Sequence, residues 1–195
     1  MILAIDSSSG TSVAVVDHSG RTLSECLSAD RRAHAELIGV LIQDALERAG
    51  ITPADVTAVV MGIGPGPFTG LRVGMAAASA FAHARALPLF PVVSHDSVGW
   101  TLDEGVVVTD ARRGEVAYSV YCRGASERRV NGPALAKPDE LEGVLGDYRD
   151  YPRHTSEQIS AADLARVQIE MARSGAAFPP PSPVYLRAPD VTVKP

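Results

Sequence analysis

Cysteine, tryptophan and long apolar runs are scarce in this chain of 195 residues. Its two cysteines, Cys26 and Cys122, lie far apart and form no CxxC pair, so the sequence suggests neither a zinc site nor a disulfide framework, and we interpret both as buried or idle thiols. No apolar run reaches the roughly 18 residues that a membrane-spanning helix needs. The start of the chain leads straight into Asp6 without a basic segment or a cleavage site. We therefore expect a cytoplasmic protein with no membrane contact.

Lysine is nearly absent as well. Lys137 and Lys194 are the only lysines, so 16 of the 18 basic residues are arginine, and the net charge is −5. An acidic chain of this kind is not expected to hold nucleic acid strongly by itself. Three arginine pairs, Arg31-Arg32, Arg112-Arg113 and Arg128-Arg129, are interpreted as solvated surface rather than RNA contacts.

Alternation, turn residues and helix caps predict an α/β chain of two units, residues 1–104 and residues 105–195, in which the C-terminal tail is free to return to the first unit. The predicted elements of the first unit are strands at 2–6, 12–17 and 21–28, a helix from about His34 to Ala49, a strand from Thr57 to Met61, a helix from roughly Thr69 to Arg85 and a strand from Leu87 to Val93. The second unit begins with a hairpin, residues 106–121, and contains a helix over residues 161–174 that Ser160 caps. Residues 124–155 give no clear pattern.

A polar turn follows the first predicted strand. Asp6 ends that strand and is followed by Ser7, Ser8 and Ser9. Hydroxyl and backbone N–H groups in such a turn can hold a phosphate, with the aspartate placing a hydrated Mg²⁺. The alternative is a turn whose Asp and Ser side chains cap the local backbone. Both interpretations stay open at this point.

A glycine-rich loop joins a predicted strand to a predicted helix over residues 62–74. Glycines such as Gly66 let the backbone approach another group closely, and a helix start offers free N–H groups, so anion binding and tight packing are both open. Pro65 and Pro67 remove two of those donors. The loop fits neither a Walker A motif nor a GxGxxG dinucleotide motif.

Candidate catalytic and metal-ligating residues are few. His34 and His95 are the only histidines near suggestive acids, and no Ser/His/Asp or Cys/His set can be assembled from the spacing. His34 is interpreted as a helix-start residue. Asp110 is the one well-placed acid of the second unit, at a strand end before a turn, where capping the turn is the alternative to a catalytic role.

Two helices of the first unit carry more apolar or small surface than one core contact requires. The excess is explained either by deep burial or by a second face that binds a partner. Arg72, on the first turn of the second helix, is expected to pair with an acid of this chain or of that partner. The predicted interface residues are Leu37, Leu41, Ile42, Ala45, Arg72, Val73, Ala76, Ala77 and Ala80.

Several ordered motifs are similar to the TsaB (YeaZ-like) family: AIDSSS, RRAHAELI, GPGPFTGLRVG, PLFPVVS, DARRGEV and PVYLRAPDVT. The resemblance implies an actin-like (ASKHA, ribonuclease H-like) fold of two domains with mixed sheets flanked by helices. AIDSSSGTSVAVVD also resembles the first phosphate element of that superfamily. The paralogous catalyst TsaD carries an HxxxH metal pair. Here His95 matches its first position but Gly99 stands at the second, so the pair is broken and no metal site is expected.

The resemblance further implies a non-catalytic subunit of the bacterial machinery that makes threonylcarbamoyladenosine (t6A) in tRNA. Such a subunit binds and activates TsaD, with the ATPase TsaE joining the complex, and it forms a homodimer when alone. It would have no cofactor of its own, would meet ATP or ADP at the complex interface, and would contact tRNA indirectly. The alternative is an autonomous ATP-dependent enzyme, a small-molecule kinase or ATPase. That enzyme would need a second phosphate loop, an adenosine pocket and a catalytic base, for which the second unit leaves little room.

Overall fold

The computed structural model describes residues 1–30, 33–125 and 127–187 and contains two mixed sheets. The first sheet has the order β3-β2-β1-β4-β5, in which β1, β2 and β3 are antiparallel while β4 and β5 run parallel to β1. Its strands are β1 (Ile2–Asp6), β2 (Thr11–Val16), β3 (Thr22–Ser28), β4 (Ala58–Gly62) and β5 (Leu89–Val92). The central strands are buried on both faces, which explains their nearly continuous apolar sequences.

Helices cover both faces of this sheet. Helices α1 (His34–Ala49) and α2 (Phe68–Ala84) pack on the face that carries Leu3 and Ile5 of β1. The opposite face, with Ile2 and Ala4, is covered by a helix from the far end of the chain, Ala161–Ser174, which is α5. The short helix α3 (Asp96–Gly99) follows β5 and packs against α5.

The start of α5 is fastened to the first sheet by a carboxylate. The Glu25 side chain on β3 accepts hydrogen bonds from the Ser160 hydroxyl at 2.9 Å and from the Ala162 N–H at 3.2 Å. A negative charge at a helix N-terminus satisfies free N–H groups and complements the helix dipole. Glu25 thus fixes where α5 begins on the sheet.

The second sheet has the order β8-β7-β6-β9, in which only the pair β6 and β9 is parallel within the described residues. Its strands are β6 (Glu104–Asp110), β7 (Val116–Cys122), β8 (Arg129–Ala136) and β9 (Arg153–Thr155). Helix α4 (Leu141–Leu145) packs on it, and single 3₁₀ turns occupy Pro53–Asp55 and Gly146–Tyr148.

The predicted fold class is confirmed: the chain is α/β, with two mixed sheets flanked by helices. Helices α1 and α5 have the predicted bounds, and the other predicted elements agree with the structure within two residues. The assignment of residues 161–174 to the second unit is corrected, because α5 completes the core of the first sheet. Strands β8 and β9 and the short helices α3 and α4 were not predicted. No helix in the described ranges is long and apolar enough to cross a bilayer.

Candidate functional site

The turn after β1 is organised around the buried carboxylate of Asp6. Its Oδ1 accepts hydrogen bonds from the Ser8 N–H at 2.8 Å and the Ser8 hydroxyl at 2.6 Å. Its Oδ2 accepts a hydrogen bond from the Ser94 hydroxyl at 2.5 Å. Burial raises the pKa of Asp6, and the hydrogen bonds from Ser8 and Ser94 oppose that rise. Asp6 therefore caps its own turn and ties it to the residues after β5.

The other two serines of the turn are also engaged within the chain. The Ser7 hydroxyl donates to the Gly70 carbonyl at 2.7 Å and accepts from the Gly74 N–H at 3.0 Å. The Ser9 hydroxyl donates to the Glu157 carbonyl at 2.8 Å. All four polar side chains of the turn thus have partners in this chain. This geometry is the capping arrangement, and the binding of phosphate or Mg²⁺ by Asp6, Ser7, Ser8, Ser9 and Gly66 stays a prediction.

The glycine-rich loop packs against that turn through glycines spaced four residues apart. These are Gly62, Gly66, Gly70 and Gly74. A Cβ atom on Gly66 would lie 2.7 Å from Ser8 Cα. A Cβ atom on Gly74 would lie 2.3 Å from Ser7 Oγ. Real Cβ atoms do not approach so closely, so these glycines allow the loop and the turn to lie in contact.

His34 joins three elements of the first unit. It is the first residue of α1, and its Nδ1 lies 2.7 Å from the Thr11 hydroxyl of β2. A Cβ atom on Gly70 of α2 would lie 2.7 Å from its Nε2. Burial lowers the pKa of His34. The structure agrees with the interpretation of His34 as a helix-start residue.

A buried polar cluster joins α3 to the second sheet. The ring nitrogens of His95 lie 2.9 Å from the hydroxyls of Ser119 and Thr109. Burial lowers the pKa of His95 to about 3, so its ring is neutral near pH 7. We call this cluster, together with the Asp96 carboxylate described next, the junction cluster.

Asp96 lies beside His95 and accepts hydrogen bonds from the Tyr121 hydroxyl at 2.7 Å and from Arg129 Nε at 3.0 Å. Burial raises the pKa of Asp96, and the Arg129 guanidinium opposes the rise. Arg129 is therefore half-buried and ion-paired, which corrects its interpretation as solvated surface. The Arg31-Arg32 pair lies outside the described residues.

Gly99 stands where an HxxxH pair would place its second ligand. A Cβ atom there would lie 2.2 Å from the Tyr121 ring, so the position admits no side chain while Tyr121 holds its place. Among the residues that the structure describes, no group of three His, Cys, Asp or Glu side chains is arranged to hold a metal ion.

A cleft of about 750 Å³ separates the two units. On one side it is lined by residues 34–36 and 65–70, and on the other by residues 109–113. Gly66 lines this cleft, whereas residues 6–9 do not. Asp110 also lines it, and its Oδ1 accepts the Arg112 N–H at 2.9 Å, which is the turn-capping arrangement.

The C-terminal segment returns to the first unit and enters the same cleft, whereas its contact with Arg72 was not predicted. The Tyr185 ring stacks on Phe68 of α2 with centroids 4.8 Å apart. The Arg72 guanidinium lies 3.8 Å from the Phe68 centroid, and its Nε donates to the Tyr185 hydroxyl at 2.5 Å. Arg72 was expected to pair with an acid of this chain or of a partner. Among the described residues it contacts two aromatic rings, and its pairing with an acid of a partner stays a prediction. The only signal in the sequence was the PVYLR motif.

A partly exposed surface covers the outer sides of α1 and α2. We define the α1/α2 face by the residues Leu37, Val40, Leu41, Ile42, Arg72, Val73, Ala76, Ala77 and Ala80. Val40 is 54% exposed, and Ala76 and Ala80 are also exposed.

One predicted interface residue does not belong to this face. Ala45 is 0% exposed because it faces the sheet, and its carbonyl accepts the Ser24 hydroxyl at 2.5 Å. Ala78 of α2 is likewise in the core, so substituting it would test the fold rather than the surface.

Comparison with known proteins finds one matching family model and several similar chains. A model of the family described as TsaD, tRNA N6-adenosine threonylcarbamoyltransferase, matches residues 23–187. An uncharacterized protein of Mycobacterium tuberculosis is 39% identical over 198 residues, which span 97% of this chain and 92% of that protein. The tRNA N6-adenosine threonylcarbamoyltransferase of Streptococcus mutans is 44% identical over 107 residues, which span 47% of this chain and 32% of that enzyme.

A solved structure shares the fold over nearly the whole length. YeaZ from Pseudomonas aeruginosa superposes with a TM-score of 0.74 at 23% identity, covering 95% of this chain and 99% of that one. The chain therefore belongs to the TsaD family, in which it has the size and the fold of the YeaZ-like (TsaB) proteins.

Proposed function

We propose that this chain is a non-catalytic subunit of the t6A modification machinery that binds TsaD through the α1/α2 face and activates it. The observation that carries the proposal is the face itself. Val40, Ala76 and Ala80 leave apolar and small surface exposed on two adjacent helices. Exposed apolar surface of this kind marks protein interaction sites. Alanines also let the helices of a partner approach to the short interaxial distances of packed helices.

The geometry of the turn after β1 supports a non-catalytic role. Asp6, Ser7 and Ser8 are engaged with one another or with α2 and Ser94. An autonomous kinase or ATPase would need oxygens that are free to meet phosphate and Mg²⁺. In our proposal ATP or ADP is bound where the partner supplies further residues, and TsaE and tRNA meet the chain through the complex in the cytoplasm.

Two copies of the chain would use the same face when TsaD is absent. In a dimer with two-fold symmetry both copies contribute the same surface, so each copy would present its α1/α2 face to the other. TsaD would then displace the second copy, so the homodimer and the complex with TsaD exclude each other.

Association is tested by mixing the purified chain with TsaD and measuring mass by light scattering. Ala80→Glu puts a charge on the α1/α2 face and should abolish both the homodimer and the complex. Ala172→Glu is the matched control, because Ala172 is an exposed alanine of α5 on the other side of the sheet. Unchanged association of the Ala80→Glu variant with TsaD would refute the proposed face.

Catalysis is tested on the same samples. The chain alone should neither hydrolyse ATP nor modify tRNA, and TsaD activity should rise when the wild-type chain is added. ATP turnover by the isolated chain that disappears on Asp6→Ala would instead favour the autonomous enzyme.

A further inference from the structure

Residues 184–187, which we call the strap, contact both units of the molecule. On the first unit the Val184 N–H donates to the Ile63 carbonyl at 2.8 Å, next to the end of β4. The following residue, Tyr185, stacks on Phe68 and accepts the hydrogen bond from Arg72. The strap is therefore fixed to the start of α2, beside the α1/α2 face.

On the second unit the strap holds the turn between β6 and β7. Arg187 donates to the Ala111 carbonyl at 3.1 Å and to the Arg112 carbonyl at 3.2 Å. Its guanidinium also pairs with the Glu115 carboxylate. Arg112 and Arg113 of this turn have φ values of 62° and 57°, a region that residues other than glycine seldom adopt. Arg187 thus supplies charged hydrogen bonds to a turn whose backbone conformation is itself unfavourable.

The strap and the junction cluster lie on different links between the units. The junction cluster connects α3 to β6 and β7 through His95 and Asp96. The strap connects α2 to the turn on the cleft, between residues only two positions apart in sequence. Two residues of extended chain span at most about 7 Å, so the strap links the Tyr185 ring to the Arg187 guanidinium through a very short segment.

We propose that the strap couples the α1/α2 face to the turn of the second unit, so that a change at Arg72 alters the order of residues 111–115 across the cleft. A change in the position of the exposed Arg72 side chain would move Tyr185, which accepts its hydrogen bond. Movement of Tyr185 would shift Arg187 and weaken its hydrogen bonds to the two carbonyls of the turn. A molecule bound to the α1/α2 face would then change the order of residues 111–115 in the second unit. The coupling is a property of the chain itself and holds whichever partner occupies the face.

Hydrogen exchange of the full-length chain, read by mass spectrometry on peptides that cover residues 111–115, tests the coupling. The Ala111 N–H donates to Glu115 and the Glu115 N–H donates to Arg112, so the order of the turn is directly reported. Arg187→Ala should accelerate this exchange by about tenfold, the usual effect of losing hydrogen bonds to a charged group. Arg72→Ala should accelerate it by about threefold although Arg72 does not touch the turn.

Matched substitutions keep the test specific. Arg85→Ala at the other end of α2 and Arg123→Ala at the other end of β7 should both leave exchange of the turn unchanged. The double variant Arg72→Ala/Arg187→Ala should exchange no faster than Arg187→Ala alone, because both changes act on one path. Tyr185→Phe keeps the ring and removes only the hydroxyl that accepts from Arg72, so it should accelerate exchange of the turn, but by less than Arg72→Ala does.

Exchange of the turn at the wild-type rate in both Arg72→Ala and Tyr185→Phe would overturn the proposal. Effects of Arg72→Ala and Arg187→Ala that multiply in the double variant would overturn it as well. Neither result depends on TsaD, so failure of the coupling and failure of the proposed function are separate outcomes.

Discussion

Replacing Gly74 by alanine should destabilise the protein strongly, although alanine is the better helix former. Gly74 lies inside α2, and its N–H donates to Ser7 Oγ at 3.0 Å. An added Cβ atom would lie 2.3 Å from that oxygen and 2.9 Å from Ser7 Cβ. The turn after β1 and helix α2 must then separate, and the hydrogen bonds between Ser7 and α2 are lost as they do so.

The magnitude follows from three contributions. Alanine gains about 1 kcal/mol over glycine in a helix interior. Overpacking of a core contact costs about 1–3 kcal/mol, and each lost hydrogen bond of Ser7 costs about 1 kcal/mol. With the two hydrogen bonds of Ser7 to α2 counted, the net loss should be about 2–4 kcal/mol, which in a chain of this size lowers the melting temperature by roughly 4–16 °C.

Gly39 provides the matched control. It lies in α1, where an added Cβ atom meets nothing within 4 Å. Gly39→Ala should therefore raise the free energy of unfolding by about 1 kcal/mol. Urea titrations of both variants measure the difference. If Gly74→Ala is as stable as Gly39→Ala, the packing role of the glycine-rich loop is wrong; if it is destabilised, adding Ser7→Gly should recover part of the loss.

Two further predictions concern buried polar groups. The pKa of His95 is lowered to about 3 in the folded state, whereas it is about 6.5 in the unfolded chain. Only the unfolded chain therefore takes up this proton as the pH falls below about 6.5. His95 should lower the free energy of unfolding by about 2 kcal/mol when the pH falls from 8 to 5. Asp6 and Asp96, whose pKa values are raised, act in the opposite direction, so the measurement is the difference in pH slope between the wild type and His95→Asn, and equal slopes would contradict it. Ser94→Ala leaves the Asp6 carboxylate and a backbone N–H without their shared hydroxyl and should cost about 2–4 kcal/mol in urea titrations, whereas Ser174→Ala near the end of α5 should cost less than about 0.5 kcal/mol.

Local signals were sufficient for the helices and for the first sheet. Gly50 and Gly175 end α1 and α5 in the left-handed conformation, and Ser160 caps α5, so the ends of both helices could be predicted from single residues. Strand β8 could not be predicted, because Gly132 and Pro133 interrupt its alternation and most of it is only half-buried. The sheet that α5 covers is also not a local property, since an amphipathic stripe does not specify its partner.

The candidate site shows the same limit. A phosphate-binding turn and a self-capping turn share the sequence Asp-Ser-Ser-Ser, and the hydrogen bond that Asp6 accepts from Ser94, 88 residues away in the chain, could not be predicted from that sequence. Arg72 and Tyr185 are separated by 113 residues, so their contact leaves no trace in spacing. Charge pairs were misjudged for a similar reason, because burial of Arg129 depends on the position of Asp96 in another unit.

The hydrogen bonds between Glu25 of β3 and the start of α5 have a consequence for folding during synthesis. A ribosome releases β1 to β5 well before α5, yet Ile2 and Ala4 find their cover only in Leu164 and its neighbours. One apolar face of the first sheet therefore stays exposed to solvent while the second unit is synthesised. In sequence, the second sheet is an insertion between β5 and α5 of the domain that is built on the first sheet. Completion of that domain is the event that sets Glu25 against the last helix and ends the period in which the nascent chain is most prone to aggregate.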